Sequence, residues 1–308
     1  MQTLIIAFAL LLVAGTADAQ YCHDMSPAQE ARSLSTHLFG GNPTDGDIMI
    51  RRAYVTEYND TYRVPRWAAW HAEPSYRATP IRSEGSWGNF YRDTDVNDPV
   101  VTNDYTGLYN GPDNFARGHI VPYFISGGDR DFDGALAAGP DRIERDDPYD
   151  ACTVREVNYM SNITPQYHAR FNGSPNGENA TPGLWYRLET IIRNEVDAGE
   201  EFHIIAGTVF GEHDVQLVGR DGDIGVPDEF FKIVITQHGP VGFLFSHRRQ
   251  LHPEACPLES ELIDCIVPIR AIEEATGLDF FNALPEQLET DLEGIDGRSA
   301  WSLTTGTQ

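Results

Sequence analysis

Phe202-His203-Ile204-Ile205-Ala206-Gly207-Thr208-Val209 reads as a β-strand, and so do Phe230 to Thr236 and Val241 to Phe245 further on. β-branched and aromatic residues crowd all three runs, and turn formers separate them. No helical pattern stands between them. Successive strands without intervening helices argue for an antiparallel sheet rather than a crossover-connected parallel one. Further strands are expected at Ile48 to Val55 and at Val157 to Ile163. Two helices frame the set. Thr181 suits an N-cap with Pro182 at the first helical position; Leu184, Leu188, Ile191, Ile192 and Val196 then form an apolar stripe ending at Gly199. A second helix runs from about Pro268 to Ala275 and stops at Gly277. The expected fold class is α+β, a central antiparallel sheet flanked by helices.

With 308 residues, 41% hydrophobic and 11% aromatic, the chain can build a large core, and disordered, collagen-like and coiled-coil classes are excluded. There are 22 basic against 47 acidic residues, a net charge of −25, and all the basic residues are Arg except Lys232. Such a molecule repels polyanions at long range. The charge is uneven, however. Between Arg51 and Arg92 stand seven Arg (51, 52, 63, 66, 77, 82, 92) and only four acids, whereas Asp129 to Asp150 holds eight acids and three Arg. A basic face is therefore expected inside an acidic molecule, since phosphate contact is local once the gap is shorter than a Debye length of ~10 Å at 0.1 M salt.

Leu4 to Val13 is an apolar run of secretory length, followed by Ala17-Asp18-Ala19 as a small-residue cleavage signal. Residues 1–19 are expected to be a signal peptide and 20–308 a single domain, starting at Gln20. No later stretch is long and apolar enough to span a bilayer, so a secreted, soluble monomer without membrane contact is expected. Four cysteines, Cys22, Cys152, Cys256 and Cys265, without Cys-x-x-Cys spacing, suit two disulfides in that compartment. Of three pairings, the expected one is Cys256 with Cys265 across a short loop, leaving Cys22 with Cys152.

Chemistry concentrates in three places. Phe115-Ala116-Arg117-Gly118-His119-Ile120-Val121-Pro122 sets a cation, a flexible glycine and an imidazole side by side. Tyr159-Met160-Ser161-Asn162-Ile163-Thr164-Pro165-Gln166 is a polar strand end that runs on to Phe171-Asn172. The first helix then presents Glu189 and Arg193 one turn apart, on the side opposite its apolar stripe, where the bland alternative is a surface ion pair. Together these groups are what metal-assisted phosphodiester hydrolysis needs: Mg²⁺ prefers oxygen ligands, so one amide oxygen with substrate phosphate can hold it.

As a set of spaced motifs, Ala116-Arg117-Gly118-His119, Ser161-Asn162-Ile163-Thr164-Pro165-Gln166, Asn172 and Trp185-Tyr186-Arg187-Leu188-Glu189 resembles the DNA/RNA non-specific endonucleases. The likeness extends from Arg51-Arg52-Ala53-Tyr54 to Thr276-Gly277-Leu278 and Leu284-Pro285. The resemblance implies a ββα-metal core built onto the central sheet. It makes His119 the general base and Asn172 the Mg²⁺ ligand, with Mn²⁺ as a substitute. Glu189 would hold a metal-bound water, Arg117 and Arg193 would grip the phosphate, and Asn162 would support the site. The sequence departs from the family in having Ala116 where the motif opens with Asp, and in a longer segment from Gly173 to Pro182. Both features resemble the secreted crustacean nucleases that prefer duplex DNA, so double-stranded DNA is the expected substrate, with cutting of DNA and RNA alike as the alternative.

A rival of another class is an acidic extracellular protein that binds calcium or nucleic acid without catalysis. Asp129-Arg130-Asp131-Phe132-Asp133-Gly134 matches the first half of an EF-hand loop, but the twelfth position is Pro140 where a bidentate Glu belongs. A pure binder also has no use for a base beside a metal ligand. Asn59, Asn162, Asn172 and Asn179 lie in Asn-x-Ser/Thr; if two are site residues, only Asn59 and Asn179 can carry glycans.

Overall fold

A computed structural model describes residue 22 and residues 25–111, 113–136, 147–173 and 182–306. The expected signal peptide, Thr181, Asn179 and most of the Gly173 to Pro182 segment lie outside the described residues. Among the described residues the strands are Met49–Ile50 (β1), Val55–Asn59 (β2), Val64–Ala72 (β3), Phe115–His119 (β4), Ile163–Tyr167 (β5), Phe202–Val209 (β6), Leu217–Val218 (β7), Ile224–Gly225 (β8), Glu229–Thr236 (β9), Gly239–Ser246 (β10) and Ile266–Val267 (β11). The helices are Pro27–His37 (α1), Pro148–Val157 (α2), Leu184–Ala198 (α3), Ile269–Thr276 (α4), Glu286–Glu293 (α5) and Gly297–Thr305 (α6). A seven-stranded antiparallel sheet runs β1-β2-β3-β6-β9-β10-β11, and β4 pairs with β5 in a separate two-stranded antiparallel sheet. The α+β architecture expected from the sequence is what forms.

Both faces of the sheet are covered, which explains why its central strands are so uniformly apolar. Phe230 and Val234 of β9 pack on one side with Trp185, Leu188 and Ile192 of α3, while Phe231 and Ile233 pack on the other with Ile269 and Ile272 of α4. All eight residues of β9 are buried. The period-two alternation of a strand assigns Lys232 to the α3 side, among aromatic rings. The expected disulfides form: Cys22 with Cys152 ties the N-terminal segment to α2, and Cys256 with Cys265 closes the loop beyond β10.

Three expectations are corrected. The run from Ile48 to Val55 is not one strand, because Arg51 and Arg52 turn inward between β1 and β2 to reach acids. Arg51 pairs with Asp93 at 2.7 Å and with Asp95, and Arg52 pairs with Glu156 of α2. The run from Val157 to Ile163 is also not a strand. It ends α2, caps it at Asn158, passes through a 3₁₀ turn at Met160–Asn162 and only then enters β5. Buried polar side chains bind the backbone there, offering it an alternative to a ladder. Finally, α3 starts at Leu184 with Gly183 as N-cap, and Pro182 stays outside the helix. Gly183 is required: a Cβ there would lie 2.2 Å from the carbonyl oxygen of Phe171. The helix from Pro268 is as expected, with Pro268 at the N-cap and Gly277 left-handed at φ 65°. Among the described residues no helix is long and apolar enough to cross a membrane.

Candidate active site

The strand pair β4–β5 and helix α3 supply most of the side chains singled out by the sequence, and the stretch that leaves β5 opens with a wide turn, His168–Asn172. The turn is of π-helical type, which recurs at functional positions. It packs against β4, β5 and α3. Phe171 anchors it: fully buried, its ring lies 5.0 to 5.8 Å from the rings of Trp185, Phe230, Phe245 and His247. Burial of such a side chain is worth roughly 1.5–3 kcal/mol. Asn172 follows directly, half-buried, and its side chain makes no hydrogen bond with any described residue. A free amide oxygen at a fixed position suits a hard cation such as Mg²⁺ or Mn²⁺.

His119 closes β4 and is oriented from behind. Its Nε2 lies 3.1 Å from Oδ1 of Asn158, whose Nδ2 donates to Trp87 O at 2.9 Å. The amide is thereby turned so that its oxygen faces the ring, so Nε2 carries the proton and Nδ1 keeps a lone pair. Burial, then the nearby Arg82 and Arg117 cations, pull the imidazole down to about 3, against the Asn158 hydrogen bond that raises it. The ring is neutral and proton-accepting at any ordinary pH.

Phe90 collects the cations around this histidine. Its ring lies 5.3 Å from that of His119, with the Arg117 guanidinium 4.4 Å and the Arg82 guanidinium 5.6 Å from its centroid. Cation–π contact fixes arginine direction without consuming its hydrogen-bond donors. Neither arginine forms an ion pair with a described carboxylate. Beside them opens a 390 Å³ cleft lined by Phe90, Thr102, Tyr105, Tyr109, Ala116 and Arg117. Ala116, in place of the family's Asp, puts a methyl group in that wall and leaves Arg117 without an acidic neighbour on its own strand. Gly118 is needed for packing, since a Cβ would meet the Gln166 side chain at 2.2 Å.

Asn162 is a scaffold group. Its Oδ1 accepts from the Val121 N–H, and its Nδ2 donates to Val121 O and Val157 O, all within 2.9 Å. The amide ties the segment after His119 to the end of α2. Its burial also leaves no room for a glycan.

Glu189 is not part of a solvent-facing pair with Arg193. It turns toward the sheet, where its Oε1 lies 3.4 Å from Nζ of the buried Lys232. That ammonium sits 3.7 Å from the centroid of Trp185. Burial lowers Lys232 to about 8 while Glu189 raises it; burial in turn raises Glu189 and Lys232 lowers it. Arg193 forms only a 3.4 Å contact with Thr190 Oγ1 and stands over Phe124.

The expected basic face is smaller than the count of arginines implied. Arg51, Arg52, Arg63, Arg66 and Arg77 each pair with a carboxylate. Sequence reading missed Arg82, Phe90, Asn158 and Lys232 as site residues. Only Lys232 carried a visible signal, as the single lysine of the chain inside an otherwise apolar strand.

Residues 35–287 match the family model described as DNA/RNA non-specific endonuclease. The chain is 26% identical over 270 residues to "Nuclease EXOG, mitochondrial" of Danio rerio, covering 84% of this chain and 67% of that one. It is 25% identical over 304 residues to a "Nuclease" of Nostoc, covering 94% and 95%. In fold it is similar to a chain of the crystal structure of the EndoG/EndoGI complex, with a TM-score of 0.58 at 17% identity over 86% of this chain and 96% of that one. By the family model that matches most of its length, the chain belongs to the DNA/RNA non-specific endonucleases, a family of metal-dependent nucleases.

Proposed function

We propose that this chain is a secreted Mg²⁺-dependent endonuclease that hydrolyses DNA, preferring the duplex, as a monomer. The observation that carries the reading is the neutral, oriented imidazole of His119 with unpaired arginines around Phe90 and a free amide at Asn172 on an adjoining turn. Asn172 would hold the cation, with substrate phosphate oxygens and waters completing its shell. When bound, Mg²⁺ would supply Lewis acidity to the phosphate and the leaving oxygen.

The chain's own residues do the rest. Arg117 and Arg82 hold the scissile phosphate beside His119, and Arg193 faces the charge that develops on it. His119 Nδ1 takes a proton from water as the oxygen attacks phosphorus and the bond to the leaving sugar oxygen breaks; that oxygen then collects a proton from solvent. Glu189, held by Lys232, orders a water at the edge of the site. Phosphate bound between the arginines offsets their field on the imidazole and raises its basicity during reaction. General-base help of this kind is worth roughly 10² to 10⁴ in rate.

The two disulfides support export, because such bonds persist in oxidising compartments. Duplex preference rests on Ala116 and the lengthened segment after Asn172. Plasmid DNA incubated with Mg²⁺ tests the catalytic reading: cutting is expected, with loss in His119→Ala and with EDTA. Undiminished cutting by His119→Ala overturns it. Matched single- and double-stranded DNA and RNA oligonucleotides separate duplex preference from cutting of all nucleic acids alike.

A further inference from the structure

The loop Asp129 to Gly134 is not used by the nuclease site, yet it folds around its own carboxylates. Asp129 Oδ1 accepts from the Asp133 N–H at 3.1 Å and its Oδ2 from the Gly134 N–H at 2.8 Å. Phe132 and Gly134 take left-handed backbone at φ 66° and 85°. The turn curls Asp131 inward, where its Oδ1 is buried without a hydrogen-bond partner.

The N-terminus of α2 comes to meet this loop. Asp150, only 1% exposed, receives the Arg130 N–H on Oδ1 and keeps Oδ2 buried and unpartnered. Asp147, the N-cap, has a buried unpartnered Oδ2 as well. Oxygens of Asp129, Asp131 and Asp150 all lie within 4.8 Å of one another. A buried carboxylate oxygen that no donor reaches is destabilising unless a cation or a proton faces it. The one cation within the motif does not. Arg130 donates to Gly127 O and Ile125 O and stacks 3.2 Å from the Tyr76 centroid, and no described cation forms an ion pair with Asp129, Asp131, Asp147 or Asp150.

We propose that Asp129, Asp131 and Asp150, with Asp147 beside them, form a structural Ca²⁺ site that fastens the 129–134 loop to the N-terminus of α2. The loop supplies the alternate-residue carboxylates of a calcium turn, and Asp150 takes the place of the missing twelfth-position ligand by coming from a helix rather than from the loop. Two ligands across a calcium ion lie roughly 4.6–5.2 Å apart, and its shell accepts six to eight oxygens in loose geometry; Mg²⁺ demands a tighter octahedron and keeps its waters. The site shares no residue with the candidate nuclease site and stands whether or not the nuclease reading does. Its consequence is mechanical: α2 carries Cys152, the Glu156 partner of Arg52, and Asn158 behind His119.

Calcium titration of the full chain, after exhaustive dialysis against EGTA, tests this by calorimetry and thermal unfolding. In the parent protein and in Asn172→Ala, Ca²⁺ at about a hundred times its dissociation constant is expected to raise the midpoint by about 5 °C, and Mg²⁺ by much less. Asp150→Asn and, on the more accessible loop, Asp131→Asn should each abolish the calorimetric binding and the shift. An unchanged shift in Asp131→Asn overturns the site. Its loss in Asn172→Ala assigns the ion to the catalytic position and overturns it too, and an equal response to Mg²⁺ overturns the calcium assignment.

Discussion

Nε2 of His119 lies 3.1 Å from Oδ1 of Asn158, and this single contact decides which imidazole nitrogen is free to take a proton. Removing it should leave substrate binding intact and misplace the base. Asn158→Leu is expected to lower kcat about 10²-fold with KM nearly unchanged, as loss of an orienting partner does elsewhere. Asn158→Asp should restore much of the rate and move the acid limb of the pH–rate profile upward, because a carboxylate favours the imidazolium. Steady-state kinetics on a defined duplex would decide it, and a full kcat in Asn158→Leu would sink the orienting role.

The pairing of Glu189 with Lys232 makes a second, different kind of prediction. Lys232→Met leaves a mostly buried carboxylate facing Trp185 and removes its counter-charge. Breaking such a pair costs about 3 kcal/mol. The same change should raise the Mg²⁺ concentration needed for half-maximal rate, since Glu189 loses its fixed direction. The double variant Lys232→Met, Glu189→Gln should recover most of the stability and none of the rate. Denaturant unfolding beside a Mg²⁺ titration separates the two effects; recovery of rate would show that Glu189 does nothing at the site.

Much of the sheet was readable because its strands obey local rules: β6, β9 and β10 are β-rich runs bounded by turns, and α4 has both caps in sequence. The site was readable where residues cluster in short motifs, as at 115–122 and 159–172. What was hidden is what depends on contacts between residues far apart in the chain. Arg51 and Arg52 look like solvated strand residues until Asp93 and Glu156 arrive from elsewhere. Asn158 is thirty-nine residues from the ring it orients. Asp150 could not be assigned to the Asp129 loop by spacing, because the connection passes through a helix start. Glu189 reads as solvent-facing because a charge one position from the apolar stripe is normally solvated, and only a buried lysine overrides that.

Four histidines give the protein a predictable acid sensitivity. Burial is the main force that pulls His37, His119 and His247 down to about 3 and His203 to about 4. In the unfolded chain each titrates near 6.5. Between those values the unfolded chain binds protons that the folded one does not, so stability rises with pH through that window. It is complete above about 6.5 and is lost progressively as the pH falls toward 4. These rings should therefore make the midpoint of thermal unfolding decline from about pH 6.5 downward, against a smaller opposite contribution from Asp150, which burial and Asp147 push up to about 8 and whose stabilisation is lost as the pH rises toward that value. A plateau that persists to pH 5 would mean these rings are charged in the folded protein.

Salt dependence follows from which arginines remain free. Five of the seven between residues 51 and 92 are committed to internal acids, so in the proposed reading phosphate contact at the candidate site falls to Arg82, Arg117 and Arg193. Each neutralised duplex phosphate contributes about −0.9 to the slope of log affinity against log salt, so three give roughly −2.7. The net charge of −25 acts in the opposite sense at low ionic strength, where repulsion of DNA is least screened. The logarithm of kcat/KM should accordingly stay level, or rise, from about 10 to 100 mM salt and fall gently beyond. A slope of −5 or steeper from the lowest salt would require the paired arginines to abandon Asp93, Glu156 and their other partners for DNA, and the internal ion pairs could not then be what holds those segments.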